Sequence, residues 1–466
     1  MNTREMLADV ARRAADYLES LDGRPVGSSA TVAEMRAALG GELPEMGEPA
    51  EKVVARLAQN ADAGIVASAG PRYFGFVVGG TLPAAIGADW LTTAWDQNAG
   101  LYVLSPANSV CEETAGRWIV ELLGLPEQTS VGFVTGCQAA NFSALAAARH
   151  EMLERHGWDV EGKGLFGAPE IEVVVSEEAH VTVHTALQML GLGRDRVRKV
   201  PCDGQGRRIA ARLVETLAPL AGRPTIVCAQ AGNVNTGAVD PLPEIAALAR
   251  EHGAWLHVDG AFGLWAKASP ALAGRLAGVE LADSWATDAH KWLNVPYDSG
   301  IVLCAHPGAH RAALTTSASY LVQTQGAERD PFEWTPEFSR RARGFAVWAA
   351  LASLGRRGVA DLVERTSAHA RRFAELLGAE KGIEILNEVA LNQVLVRFAP
   401  PTGGDAAATD EFTREVVRRV QREGTLWLSG TTWQGRAAMR ISVSNWSTGR
   451  ADVERSAAAI LAAAGR

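Results

Sequence analysis

Trp255-Leu256-His257-Val258-Asp259-Gly260-Ala261-Phe262-Gly263 is an apolar run that closes on a carboxylate and passes into small residues. A short apolar run bounded by glycine reads as a buried strand, so Asp259 falls at a strand's C-terminal end. The same signature recurs on both sides of it. Ser130 to Val134, Ile171 to Ser176, Val197 to Val200 and Thr225 to Gln230 precede it, and Ser284 to Thr287 and Gly300 to Cys304 follow. Helical patterns such as Ala139 to Arg155 and Pro241 to Glu251 separate several of these runs. The alternation predicts an α/β fold, with a mostly parallel seven-stranded sheet covered on both faces. In such sheets ligands bind beyond the carboxyl ends of the strands. The residues just after each run are therefore the first candidates for a site.

Further out the pattern changes. After about residue 340 it predicts a helix from Arg340 to Leu354 and a second to about Leu377. Strand candidates follow at Gln393 to Phe398 and Met439 to Val443, with a helix between them. This reads as a small C-terminal α/β domain. Residues 1 to about 65 read as helices broken at Gly40-Gly41 and Pro44, and residues 66 to 110 as loop-rich around Pro71-Arg72-Tyr73-Phe74-Gly75-Phe76. The expected domains are residues 1–70 (a helical segment with little core of its own), 71–339 and 340–466.

The 466 residues suffice for two or three packed units, and 47% hydrophobic with 21% charged residues is an ordinary globular balance. A net charge of -8 disfavours a nucleic-acid or anionic-membrane surface. Arg340-Arg341-Ala342-Arg343 reads as a helix stripe rather than a nucleic-acid patch. No signal-like or membrane-spanning apolar run is present in the sequence. Five cysteines, widely spaced and without a C-x-x-C pair, argue against a disulfide framework or a zinc knuckle and for a reducing cytoplasm, so no metal site is expected.

Four strand ends offer chemistry. Lys291 lies in Asp288-Ala289-His290-Lys291-Trp292-Leu293. Alone it would read as a surface lysine, but Trp285, Trp292 and Leu293 give it an apolar surround. Burial lowers an amine pKa and makes the nucleophilic form accessible. Asp259 is either a turn or cap residue or a carboxylate for a protonated pyridine nitrogen, a pair that keeps the ring electron-accepting. Ala261 is small enough to let a ring lie near the strand. Thr135-Gly136-Cys137-Gln138-Ala139-Ala140-Asn141 turns from a strand into a helix, where backbone N–H groups favour a phosphate. His180, in Ser176-Glu177-Glu178-Ala179-His180, could stack on a flat ring or be a structural histidine. Phosphate, ring and aldehyde need three sites in one crevice, and the chain supplies candidates for all three. Together they suggest pyridoxal 5'-phosphate (PLP) on Lys291.

With these residues the chain resembles the group II PLP-dependent decarboxylases, which include the aromatic amino acid, glutamate and histidine decarboxylases. The resemblance runs from the Pro71 loop to the C-terminal unit. It is most specific at Asp283-Ser284 to Trp292, with His257-Val258-Asp259-Gly260-Ala261 and Ala179-His180 in support. It implies the aminotransferase-like PLP fold (fold type I), with Lys291 as the Schiff-base lysine, Asp259 on the pyridine nitrogen and His180 on the ring. It places Cys137 and Gln138 at the phosphate loop, Asp288 and His290 at the phosphate end, and Asn233, in Gly232-Asn233-Val234, in the segment before the ring-binding strand. Arg440 matches an arginine on the substrate side. The chain departs from the family at Gln138, where a small hydroxyl is common, at Asn233 and Val234 in place of threonines, and at Gly260 in place of alanine. Asp288 is acidic beside a phosphate, which requires its carboxylate to be hydrogen-bonded or turned away.

The resemblance also implies the reaction. Tyr320, 29 residues after Lys291 on the polar segment Ser317-Ala318-Ser319-Tyr320-Leu321, stands where family members carry the tyrosine that returns a proton to Cα. Simple decarboxylation to amine and carbon dioxide is expected. An aminotransferase, another lyase or an aldehyde synthase on the same fold is the nearest alternative, and a PLP-binding protein without turnover a more distant one. Phe76, Val78, Leu82 and Trp95 favour an aromatic or apolar amino acid substrate. Ala88-Asp89-Trp90-Leu91-Thr92-Thr93 is similar to glutamate-type members and keeps an acidic substrate open. The N-terminal helices resemble those that interlock a homodimer with its active site at the interface.

Overall fold

The structure, a computed structural model, describes residues 2–315 and 328–466; Tyr320 lies outside the described residues. The backbone divides into two compact units. One comprises Met1–Gly80, Arg372–Leu386 and Leu395–Arg466, the other Thr81–Arg371 and Asn387–Val394.

The larger unit contains the sheet that the apolar runs predict. Its strands are β1 (Ser130–Val134), β2 (Glu172–Ser176), β3 (Arg198–Val200), β4 (Thr225–Gln230), β5 (Trp255–Asp259), β6 (Ser284–Asp288) and β7 (Gly300–Cys304), in the order β1-β7-β6-β5-β4-β2-β3. Every residue of β2, β4, β5, β6 and β7 is buried. This is why these segments read as continuous apolar runs rather than as an alternation. Neighbours from β6 through β3 pair in parallel, and β7 alone runs against both β6 and β1. The ends of β1, β5 and β6 thus point the same way, towards Gly136, Gly260 and Ala289.

The edge strand β1 is protected by side chains rather than by another strand. Arg329 donates to the carbonyl of Val131 and Arg340 to that of Phe133. Both guanidiniums also reach the buried carboxylate of Glu112, at 3.1 and 2.7 Å. An unpaired buried carboxylate would be costly, so Glu112 fixes the two arginines over an edge that would otherwise expose hydrogen-bonding groups. Arg340 is therefore no part of a helical stripe, because the helix expected from Arg340 begins only at Gly344. That helix runs to Gly378 with a break at Gly355, whose φ of 59° suits a residue without a Cβ. The expected loop-rich stretch 66–110 also needs correction. It contains a helix at Pro83–Trp95, and a second begins at Pro106. Each starts on a proline, which is preorganised for the first helical turn.

β8 (Ile383–Ile385), β9 (Gln393–Phe398), β10 (Ser429–Trp433) and β11 (Arg436–Ser442) form a second sheet in the order β10-β11-β9-β8, which belongs to the smaller unit except for Gln393 and Val394. The helices Thr3–Ser20, Val32–Leu39 and Ala50–Ala61 bury no residue, and Leu7, Leu18, Leu39, Val53 and Leu57 are exposed.

Beneath β1, His310 is fully buried on the helix Pro307–Leu314, with Nδ1 2.9 Å from Ser130 Oγ. Burial, and then the Arg329 guanidinium, push its pKa down to about 3. The unfolded chain takes up a proton near pH 6.5 and the native protein does not, so this stability is present above about pH 6.5 and is lost as pH falls toward 3. Between pH 7 and 5 the urea-unfolding free energy is expected to fall by about 2 kcal/mol more in the parent than in His310→Gln. Parallel pH profiles for the two proteins would contradict this assignment.

Candidate active site

At the end of β5, Asp259 is 5% exposed, and the fold surrounds it with donors. Oδ1 accepts the Ala261 N–H at 3.1 Å and the Cys137 thiol at 3.5 Å, and Oδ2 accepts Asn141 Nδ2 at 3.3 Å. A carboxylate offers about four acceptor positions, so among the described residues one position at Oδ2 remains for a donor from outside the chain. Ala261 packs with Cys137, Ala140 and Ala286, and these small side chains bulk little around the carboxylate. The strand ends also approach closely: a Cβ on Gly300 would lie 2.4 Å from Gly136 Cα.

Lys291 follows β6, and its Nζ lies 2.8 Å from Asp288 Oδ2. The other oxygen of Asp288 accepts the Cys137 N–H at 2.6 Å, at the first turn of the helix Cys137–Glu154. Burial pulls the Lys291 amine down, but the facing Asp288 carboxylate outweighs it, and the pKa lies above the ordinary lysine value. The expectation of a lowered amine pKa is corrected here: it counted the apolar neighbours and not the carboxylate three residues earlier. The condition placed on Asp288 is met, since its carboxylate is hydrogen-bonded on both sides. Cys137 is buried, and burial, with Asp259 and Asp288 adding to it, pushes its thiol well up, so it stays protonated and donates. His290 accepts the Ser299 N–H on Nδ1 at 3.1 Å and stacks on Tyr297 with centroids 4.2 Å apart. Burial pushes its pKa down.

His180 caps the helix Val181–Met189, with Nδ1 2.8 Å from Thr182 Oγ1. Thr182 Oγ1 in turn lies 3.4 Å from Asn141 Nδ2. The structure therefore links Lys291, Asp288, Cys137, Asp259 and Ala261 directly, reaches His180 from Asp259 through Asn141 and Thr182, and places His290 beside Asp288. Gln138 is exposed on the helix Cys137–Glu154. Asn233 is buried and spends its Oδ1 on its own turn, accepting the N–H groups of Asn235 and Thr236 at 2.9 and 3.2 Å. Phe76, Val78 and Arg440 belong to the smaller unit. Phe76 stacks on Trp427 at 5.7 Å, Val78 packs against Leu21, Val26 and Tyr73, and Arg440 lies on β11. Sequence reading missed Asn141, Thr182, His257 and Tyr297. The available signals were spacings: Asn141 stands one helical turn after Cys137, and His257 shares a strand face with Asp259. A groove of about 820 Å³, lined by Glu113, Arg117, Glu121 and Ser130 among others, lies at the opposite end of β1 from this cluster.

The family model described as the pyridoxal-dependent decarboxylase conserved domain matches residues 33–399. The chain belongs to this family. Its cofactor is pyridoxal phosphate, and it is a carboxy-lyase acting on amino acids. An aromatic-L-amino-acid decarboxylase of Bacillus atrophaeus is 26% identical over 92% of this chain and 88% of its own length. An acidic amino acid decarboxylase of Bos taurus is 29% identical over 86% of this chain and 79% of its own. The crystal structure of an Oryza sativa TDC with PLP and tryptamine superposes with a TM-score of 0.92, covering 100% of this chain and 98% of that one. At 24% identity that likeness speaks for the fold.

The donor set fits the cofactor. The remaining acceptor position on Asp259 suits a protonated ring nitrogen, Lys291 Nζ is a primary amine in reach of a carboxylate that can exchange its proton, and a helix begins at Cys137. When bound, pyridoxal phosphate supplies an aldehyde that condenses with amines and a ring that accepts the electron pair left at Cα when a carboxylate departs.

Proposed function

We propose that this enzyme decarboxylates an aromatic or apolar L-amino acid to its amine. Phe76 is the observation that carries the substrate class. Its φ is 50°, an outlier for a bulky side chain, and the residue is 56% exposed beside the Tyr73–Trp427 stack. Such backbone costs about 1–3 kcal/mol and is retained where packing and function require it. In this reading Phe76 and Val78 contact an apolar side chain and Arg440 a carboxylate. Lys291 holds the cofactor, Asp259 binds its ring nitrogen through the remaining acceptor position, and His180 covers the ring. Cys137, Gln138, Asp288, His290 and Asn233 serve its phosphate end. The relatives from Bacillus atrophaeus and Bos taurus point to aromatic and acidic substrates respectively. Arg440, buried and cationic, is what favours the acidic alternative. Comparing kcat/KM for tryptophan, tyrosine and phenylalanine with that for aspartate, glutamate and cysteine sulfinate tests the choice. The aromatic set is expected to lead by at least about tenfold, and the reverse order would overturn the substrate reading.

Tyr320 is proposed as the acid that protonates Cα after carbon dioxide leaves. Tyr320→Phe is expected to slow amine formation by about 10²-fold, or to divert product to aldehyde. Undiminished amine output from the variant would refute the role. The exposed apolar residues of the N-terminal helices support a homodimer, with residues 1–70 as the dimerisation segment and the active site at the interface, because a second copy would cover faces that bury nothing in one chain. An active monomer in sedimentation would contradict it. Among the described residues no helix is long and apolar enough to cross a membrane, and all five cysteines are free. A cytoplasmic location is proposed on that footing.

A further inference from the structure

A chain of hydrogen bonds runs through the core behind Asp259. Trp255 Nε1 donates to Ser284 Oγ at 2.9 Å, and Ser284 Oγ lies 3.0 Å from His257 Nδ1. His257 Nε2 lies 2.8 Å from Asn141 Oδ1. Asn141 Nδ2 reaches Asp259 Oδ2 at 3.3 Å and Thr182 Oγ1 at 3.4 Å, and Thr182 reaches His180 Nδ1 at 2.8 Å. Asn141, His257 and Ser284 are fully buried, and Trp255 is 1% exposed.

The direction of this chain is set by its ends. An indole N–H can only donate and a carboxylate can only accept. Asn141 must turn its NH₂ toward Asp259, so its oxygen faces His257, which must donate from Nε2. His257 Nδ1 is then the acceptor of the Ser284 hydroxyl, whose oxygen takes the Trp255 N–H. Every position is satisfied only with a singly protonated imidazole. Burial agrees with this, pushing the His257 pKa down to about 4. The second N–H of Asn141 goes to Thr182, leaving the Thr182 hydroxyl to donate to His180.

We infer that Asn141 is a positioning residue: its amide, oriented by His257, holds the Asp259 carboxylate in place and ties His180 to the same anchor through Thr182. This rests on the reading of Asp259 as the ring-nitrogen partner. The two groups proposed to grip the ring from its edge and its face are then set by one side chain, and Trp255 and Ser284 set the tautomer that orients it. Of the groups that Asn141 hydrogen-bonds among the described residues, Asp259 alone carries a charge, so the amide acts by direction rather than by net charge.

The test uses the purified enzyme reconstituted with PLP, with three readouts: steady-state kinetics, PLP affinity of the apo-protein by absorbance titration, and the pH response of the bound-cofactor visible band. Asn141→Ala is expected to lower kcat about 10- to 100-fold with KM within about threefold, to weaken PLP binding and to shift the midpoint of the band's pH titration. Asp259→Asn serves as the reference. A changed band in Asp259→Asn with an unchanged band, affinity and kcat in Asn141→Ala overturns the role of Asn141 alone. An unchanged band in both overturns the reading of Asp259 as well. A lower kcat in Asn141→Ala with parental band and affinity marks a merely structural residue and overturns the inference. Should Asn141→Ala not fold, the pair at 257 decides. His257→Gln can still donate to Asn141 and is expected to keep about tenfold more activity than His257→Leu, with a band nearer the parent's. Equal rates and bands for the two would overturn the inference.

Discussion

Lys291→Ala is expected to reduce kcat by about 10⁴-fold or more, because it removes the amine that the structure places against Asp288 in the cluster formed by Asp288, Cys137 and Asp259. The variant should still take up PLP, but without a visible band that borohydride can fix to the protein. It should also lose stability, since Asp288 is 1% exposed and would forfeit the cation 2.8 Å from its Oδ2. Breaking a buried pair from one side costs about 3–5 kcal/mol. The two losses can be separated. Lys291→Arg returns a cation to Asp288 and is expected to recover most of the melting temperature while remaining inactive. Turnover in Lys291→Ala within about 100-fold of the parent would contradict the role of the amine. Recovery of activity in Lys291→Arg would show that charge, not nucleophilicity, is what the site needs.

Asp259→Asn is expected to lower kcat by about 10³-fold, roughly 4 kcal/mol of transition-state stabilisation, with a much smaller change in KM. The substitution keeps the shape of the side chain and removes its charge. It also sets an NH₂ group against either Asn141 Nδ2 or the Ala261 N–H, both of which now donate to the carboxylate. One donor must then lose its acceptor. Steady-state kinetics on the variant check the expectation, and a kcat within tenfold of the parent would show that the carboxylate does not sustain the electron-accepting ring.

The fold was legible because burial on both faces leaves a plain mark. β4 and β7 match their apolar runs end to end, and β5 closes on Asp259, where its run does. The weaker strands β8 and β10 were not legible. Ser429-Gly430-Thr431-Thr432-Trp433 is polar and contains a glycine, and only two of its five residues are buried. The helix Pro83–Trp95 was obscured by its aromatic and small residues, which resemble those of the loop before it. In the site, groups at strand ends could be found by position alone. Asn141, Thr182 and His257 could not, since each acts through another side chain and sits inside an otherwise helical or strand pattern. The raised Lys291 amine shows the same limit: the tryptophans that suggest burial are visible in the sequence, while the approach of Asp288 to Nζ depends on the turn after β6.

The Lys291 site is proposed to release the α-carboxylate of an amino acid and to return a proton to Cα. The most direct test is to incubate the purified enzyme with PLP and its best amino acid substrate, and to measure carbon dioxide and amine in the same reaction. One amine for each carbon dioxide, without peroxide or keto acid, is the predicted result. Keto acid without carbon dioxide, or aldehyde and peroxide without amine, would contradict it.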